Sequence, residues 1–115
     1  MRLRTILVMA AAVTFALAGT AFAQDKALVE KGMKVYEAQK CSICHSIAGK
    51  GNAKGPLDGV GTKLTAAEIR EWMVNPKEMT AKTKSARMPA MRAYPNLPKD
   101  DLDAVIAYMV SLKKK

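Results

Sequence analysis

The order of apolar and polar residues along the chain predicts three helices joined by long loops. Apolar side chains recur at three- and four-residue spacing over 25–40, which is typical of one buried helix face. A second helix is expected to begin at Thr65 and to end where Asn75 precedes Pro76, and a third to cover 98–112. Since no stretch of useful length alternates apolar and polar residues, and no segment repeats, the pattern indicates an all-α fold.

Local signals support these helices. Thr65 and Glu68 have the spacing of a capping box, in which two side chains satisfy free backbone N–H groups. Pro98 suits the first turn of the third helix. In the first helix, Gly32 predicts a close crossing with another helix, because glycine lets a second backbone approach. Tyr36 lies one turn later on the same face.

The start of the chain has the composition of a secretory signal peptide. Arg2 and Arg4 provide the charged start, 6–18 is apolar, and the sequence Ala-Phe-Ala ends the segment as a cleavage site. The apolar run is short for a membrane span of about 20 residues, which disfavours an uncleaved anchor. We therefore expect an exported, periplasmic protein with a signal peptide at 1–23, a single domain at 24–115 and no membrane anchor after cleavage.

The chain is basic, with 19 Lys and Arg against 10 Asp and Glu and a formal charge of +9. Such a surface favours association with acidic partners at a rate that depends on salt. Nucleic-acid binding is disfavoured, because aromatic residues make up only 5% of the chain and no recognition motif is present. Side chains that could guide a partner include Lys40, Lys50, Lys54, Lys82 and Lys84.

Both cysteines and the only histidine of the chain lie in the run Cys41-Ser42-Ile43-Cys44-His45. This C-x-x-C-H pattern is the attachment sequence of c-type haem, in which two thiols bond the vinyl groups and the adjacent imidazole reaches the iron. A thiol–disulfide oxidoreductase would place its C-x-x-C near a βαβ pattern, which the sequence lacks. A zinc site would need more ligands at metal spacing. The motif therefore predicts one covalently bound haem c.

The two long loops differ in what they could bind. The first, 46–63, is rich in glycine but lacks the G-K-[ST] ending of a phosphate-binding loop, so nucleotide binding is disfavoured. The second, 77–97, contains Met88-Pro89 and Met91, and a thioether is a soft, neutral donor for iron. Pro89 pushes the backbone of Met88 toward an extended conformation, which favours Met88 over Met91 as the second iron ligand.

These features occur in an order that resembles the small bacterial class I cytochromes c over nearly all of the mature chain. The segments that carry the resemblance are Gly32 and Tyr36, the C-x-x-C-H run, Gly55-Pro56-Leu57, Trp72, Met88-Pro89-Ala90 and Tyr108-Met109-Val110-Ser111-Leu112-Lys113. The resemblance implies the class I cytochrome c fold, with three main helices and long loops wrapped around one haem. Met91 departs from a clean match and remains the alternative sulfur ligand.

The resemblance also implies roles at the matching positions. Cys41 and Cys44 bond the haem through thioethers, and His45 and Met88 bind the iron from opposite sides. The Pro56 carbonyl accepts a hydrogen bond from the second ring nitrogen of His45, which is a common way to orient a metal-bound imidazole.

Aromatic residues receive roles from the same resemblance. Trp72 lines the haem pocket, either through packing alone or with its N–H toward a propionate. The first and last helices cross at Gly32, with Tyr36 and Tyr108 near the contact.

An iron with both axial positions filled has no place for oxygen or peroxide, so we expect an electron carrier and not an enzyme. Its partners are then a redox donor and a redox acceptor, with acidic docking surfaces. Two alternatives stay open: an electron-transfer subunit of a larger oxidoreductase complex, and a haem enzyme or gas sensor with a labile sixth ligand. The absence of a second histidine in the sequence disfavours peroxidase chemistry.

Overall fold

The computed structural model describes residues 18–115, with side chains from Lys26 onward. The predicted signal peptide at 1–23 therefore lies mostly outside the described residues, and only 18–23 fall within the first helix. In chain order the elements are α1 (Ala18–Ala38), a 3-10 turn (Cys41–Ile43), β1 (Ser46–Ile47), β2 (Lys50–Gly51), α2 (Val60–Lys63), α3 (Ala66–Val74), α4 (Pro76–Thr83) and α5 (Lys99–Ser111).

The three predicted helices are present as α1, α3 and α5. The strands β1 and β2 are two residues long and form one antiparallel pair in the first loop. The prediction of an all-α fold is therefore confirmed. No helix within residues 18–115 combines the length and the apolar character that a membrane crossing requires.

Two further helices lie where the sequence predicted loops. Asn75-Pro76 ends α3 as predicted, but the same proline begins α4, because a proline in the first helical turn needs no N–H partner. The second loop is shortened as a result. The one-turn helix α2 begins after Gly59, whose left-handed backbone (φ 77°) redirects the chain.

The backbones of α1 and α5 come into close contact at Gly32. A Cβ atom at this position would overlap the carbonyl group of Ala104 and the Cβ of Tyr108, so the crossing requires glycine. One turn further, the rings of Tyr36 and Tyr108 pack edge to face, with centroids 5.8 Å apart and planes at 86°. The predicted crossing is confirmed, and it places the C-x-x-C-H run beside the core.

The core is formed by buried side chains of α1, α3 and α5. Half of them come from α5, and the set is Val35, Tyr36, Ile69, Met73, Leu102, Val105, Ile106 and Met109. Burial of such side chains stabilises the fold by roughly 1.5–3 kcal/mol each. The core does not fill the molecule, because several of these residues also form one side of a cavity.

The start and orientation of α3 are fixed by polar contacts. The predicted capping box is present: the Glu68 N–H donates to Thr65 Oγ1 at 3.2 Å, and the Thr65 N–H donates to Glu68 Oε1 at 3.1 Å. Arg70 pairs with Asp103 of α5 at 2.5 Å. Because this ion pair is partly exposed, it adds little to stability and mainly orients α3. These contacts fix α3, the helix that carries Trp72, at its first turn and against α5.

Candidate functional site

A cavity of about 750 Å³ lies beside the C-x-x-C-H turn, and α1, α3, α5 and the loop after α4 contribute to its wall. Most of the wall is apolar, and this part is formed by Leu57, Val60, Leu64, Ile69, Trp72, Met73, Pro89, Ala90, Met91, Val105 and Met109. Cys41, Cys44 and His45 line the same cavity. Its volume falls in the range of about 300–1,000 Å³ that is common for cofactor sites.

The turn after α1 directs the three residues of the motif to this cavity. Lys40 leaves the helix with a left-handed backbone (φ 56°), and the 3-10 turn follows at once. The N–H groups of Cys44 and His45 both donate to the Cys41 carbonyl, at 3.1 and 2.9 Å. Because these bonds close the turn tightly, two thiols and an imidazole that are neighbours in the sequence line one space.

The two thiols are not joined by a disulfide. Cys41 is half-buried, whereas Cys44 is exposed at the rim. Burial raises the pKa of the Cys41 thiol, although a backbone hydrogen bond and the charge of Arg92 act in the opposite direction. Since both cysteines line the cavity and neither is in a disulfide, both sulfur atoms are available to form bonds to a group in the cavity.

His45 is held as a neutral imidazole with one nitrogen free. Its Nδ1 lies 3.1 Å from the Gly55 carbonyl, which can only accept, so Nδ1 carries the proton. Burial lowers the pKa of His45, and the nearby Arg87 cation lowers it further against the opposing effect of the Gly55 bond. Nε2 keeps its lone pair, which is the form that binds a metal.

The hydrogen-bond acceptor for His45 differs from the predicted one: it is Gly55 and not Pro56, one residue later. The reason is the pairing of the backbone in this segment. The Gly55 carbonyl also accepts from the Ser46 N–H at 3.0 Å, and the Leu57 N–H donates to the Ser46 carbonyl at 2.8 Å. This pairing directs the Gly55 carbonyl toward His45, while Pro56 is exposed.

Two aromatic side chains stand in the cavity wall. Trp72 is half-buried and reaches the cavity from α3. Tyr36 is 8% exposed, and its buried hydroxyl has no hydrogen-bond partner among the described residues. Burial raises the pKa of Tyr36 to about 12, with smaller contributions from Cys41 and Tyr108. An unpartnered hydroxyl of this kind is a polar contact that a bound group can satisfy.

Met88, the predicted iron ligand, does not line the cavity, since 83% of it is exposed. Arg87, Pro89, Ala90 and Met91 line the cavity, whereas Met88, which lies between them in the sequence, does not. Met91 lines the cavity and packs against the core. Met88 therefore lies outside the cavity in this structure, and its role as the iron ligand stays a prediction.

Arg87 is a site residue that the sequence did not reveal. It lines the cavity, and its Nη2 donates to the Cys44 carbonyl. A Cβ at Gly55 would overlap both the guanidinium and that carbonyl, so the glycine makes room for the contact. A single loop arginine has no periodicity or spacing that could have indicated this position.

The residues around the cavity fit a covalently attached haem. Two accessible thiols, a neutral imidazole with a free Nε2, and an apolar wall of suitable volume are brought together in one place. Within residues 18–115, no group of three or more His, Cys, Asp or Glu side chains is arranged to hold a bare metal ion.

Comparison with known proteins gives one family and one curated relative. Residues 29–113 match the family described as Cytochrome c. Cytochrome c oxidase subunit 2 of Alkalihalophilus pseudofirmus is 30% identical over 95 residues, which cover 75% of this chain. The chain spans only 26% of the length of that relative. No solved structure matches.

Proposed function

The chain belongs to the cytochrome c family, and from this membership we propose that it carries single electrons between redox proteins through one haem c. The observation that carries the proposal is that Cys41, Cys44 and His45 line one apolar cavity, with the His45 imidazole neutral and oriented. When bound, the haem supplies an iron that alternates between the ferrous and ferric states.

The residues of the chain then have distinct tasks. Cys41 and Cys44 hold the haem through thioethers, and Nε2 of His45 binds the iron while Nδ1 is held by Gly55. The apolar wall, with Trp72 on α3, excludes water and so disfavours the additional charge of the ferric state. This raises the reduction potential.

We place Met88 as the sixth ligand. Met91 is packed against the core, whereas Met88 has an exposed and unpacked side chain next to Pro89, which lines the cavity. A thioether on a flexible stem can reorient at little cost, because it breaks no contact in doing so.

Variants of the two methionines test this assignment. Met88→Ala should make the reduced protein bind carbon monoxide readily, because the sixth position opens, and should lower its reduction potential. Met91→Ala should leave carbon monoxide binding at the low level of the unaltered protein. Optical spectra with and without carbon monoxide measure both. The reverse result, with binding only in Met91→Ala, assigns the ligand to Met91 instead.

The proposed role itself is tested by a reduced-minus-oxidised spectrum with a potentiometric titration of the exported protein. We expect a six-coordinate haem c that titrates as one reversible one-electron couple. Unaltered protein that lacks covalent haem, or that binds carbon monoxide readily, would contradict electron carriage.

We further propose a periplasmic location and acidic redox partners. The support is the pattern of the first 23 residues and the basic composition, with a formal charge of +9. Fractionation of cells that produce the protein, with immunodetection in the periplasmic extract, tests the location.

A second candidate function is that of an electron-transfer subunit of a larger complex. The observation in its favour is the similarity to a subunit of cytochrome c oxidase over 75% of this chain. Co-purification at low and high salt separates the two functions. A subunit remains with its enzyme at high salt, whereas a free carrier held by surface charge dissociates.

A further inference from the structure

The loop that carries Met88 has few bonds to the rest of the protein. Its flanks are anchored, because the Ser85 N–H donates to Thr80 at 3.0 Å and the Tyr94 N–H donates to Met73 at 2.8 Å. Among the described residues, no backbone hydrogen bond involves 86–93. What holds this segment must therefore come from side chains.

Arg87 makes the side-chain bond that joins this loop to the haem-attachment turn. Its guanidinium donates to the Cys44 carbonyl, across 43 residues of sequence. The other bond of the segment, from Arg92 Nε to the Tyr94 hydroxyl at 3.3 Å, stays within the loop region. Of these two bonds, only the one from Arg87 joins the Met88 loop to the haem-attachment turn. Its two ends, Arg87 and Cys44, directly precede Met88 and His45 in the sequence.

The surroundings of Arg87 are built for this contact. Gly55 leaves the space that the guanidinium occupies, and any side chain there would overlap it. Arg87 is half-buried in the cavity wall, and although its bond to Cys44 lies at an exposed site, a bond from a charged donor is stronger than one between neutral groups. Its cation also lies close enough to His45 to influence the imidazole.

We propose that Arg87 is a positioning residue that fastens the Met88 loop to the C-x-x-C-H turn and so keeps the sixth position of the iron closed. The inference rests on the proposed haem site and goes beyond it. It states that a residue that does not touch the iron determines how firmly Met88 binds there. Without this bond, 86–93 keeps only the packing of Met91 against the core and the bond from Arg92 to Tyr94, so Met88 leaves the iron more often.

The test compares three variants of the haem-loaded protein. Arg87→Gln removes the charged donor, and Arg87→Lys keeps the charge without the fork of donors. As the control, Lys77→Gln removes an equal charge from an exposed position on α4, outside the cavity wall. The readouts are carbon monoxide binding by the reduced protein and the reduction potential.

Arg87→Gln should bind carbon monoxide about tenfold faster than the unaltered protein, the size of effect expected when one hydrogen bond to a charged group is lost. Arg87→Lys should fall between the two, and Lys77→Gln should match the unaltered protein. The potential of Arg87→Gln should be lower, because both the cation and firm thioether ligation favour the ferrous state.

Two results overturn the inference: carbon monoxide binding by both Arg87 variants at the unaltered rate, or equal acceleration by Lys77→Gln, which would indicate a general effect of charge. If Arg87→Gln does not acquire haem, the comparison of Arg87→Lys with Lys77→Gln takes its place, and equal rates in these two variants overturn the inference. Rapid carbon monoxide binding by the unaltered protein would instead contradict the proposed function itself.

Discussion

Tyr36 shows what a single buried atom can contribute to this molecule. Its hydroxyl is buried without a hydrogen-bond partner among the described residues, and its ring packs against Tyr108. An unsatisfied buried donor costs about 1–3 kcal/mol, whereas the ring contact does not depend on the oxygen. Where no group in the cavity accepts from this hydroxyl, Tyr36→Phe should therefore raise the free energy of unfolding by about 1 kcal/mol.

Urea unfolding followed by circular dichroism measures this change, with Tyr108→Phe as the matched control. Both tyrosines affect the response to pH, since burial also raises the pKa of Tyr108. Because folding raises the pKa of Tyr36 to about 12, the unfolded chain ionises first, and stability falls as the pH rises from about 10 toward 12. Tyr36→Phe should flatten this decline. A lower stability of Tyr36→Phe would show that the hydroxyl has a partner.

The parts of the site that the sequence predicted are those set by short-range chemistry. Cys41, Cys44 and His45 are predictable because haem attachment requires them at fixed spacing, and the tight turn then brings them to one cavity. The hydrogen-bond acceptor for His45 is Gly55 and not Pro56 because of backbone pairing with another segment. The exposure of Met88 likewise depends on how the loop after α4 lies on the rest of the fold, which has no signature in one sequence.

At the scale of elements, the same contrast holds between the long helices and the short ones. α1, α3 and α5 follow from periodicity, and the start of α3 follows from its capping box. α2 and α4 are too short for a clear apolar period, and Pro76 serves as both a stop and a start. Packing on the core decides their existence more than propensity does.

The crossing of α1 and α5 gives a prediction at this scale. Gly32→Ala gains about 1 kcal/mol of helix propensity, but its Cβ would overlap the backbone of Ala104, which has no room to move. We expect a net loss of about 2 kcal/mol in the free energy of unfolding, since overpacking costs roughly 1–3 kcal/mol or more. Met33→Ala, at a residue of α1 that is 45% exposed, serves as the control and should change stability little. Equal stability of Gly32→Ala and the unaltered protein in urea unfolding would argue against a tight crossing.

At the scale of the whole molecule, the basic charge determines how the protein meets its partners. Without Arg2 and Arg4 of the predicted signal peptide, 17 Lys and Arg remain against 10 Asp and Glu, so the exported chain carries a formal charge of +7 before haem is bound. This charge attracts anions and repels cations over about a Debye length, which is near 10 Å at 0.1 M salt. Oxidation of the reduced protein by ferricyanide should therefore slow as salt is added, whereas reduction by hexaammineruthenium(II) should become faster. Stopped-flow absorbance of the haem measures both rates.

The positions of the lysine side chains affect the encounter with a redox partner in addition to the net charge. Lys40 lines the cavity, and Lys26 lies about 20 Å away along α1, so that Lys40→Gln and Lys26→Gln change the net charge equally. If electrons leave through the cavity mouth, Lys40→Gln should slow the reaction with ferricyanide at low salt more than Lys26→Gln does, and the difference should vanish at high salt. Equal slowing by both variants would mean that only the total charge guides the encounter. A larger effect of Lys26→Gln would indicate that electrons leave near Lys26. That surface is away from the cavity, which holds the haem-binding residues.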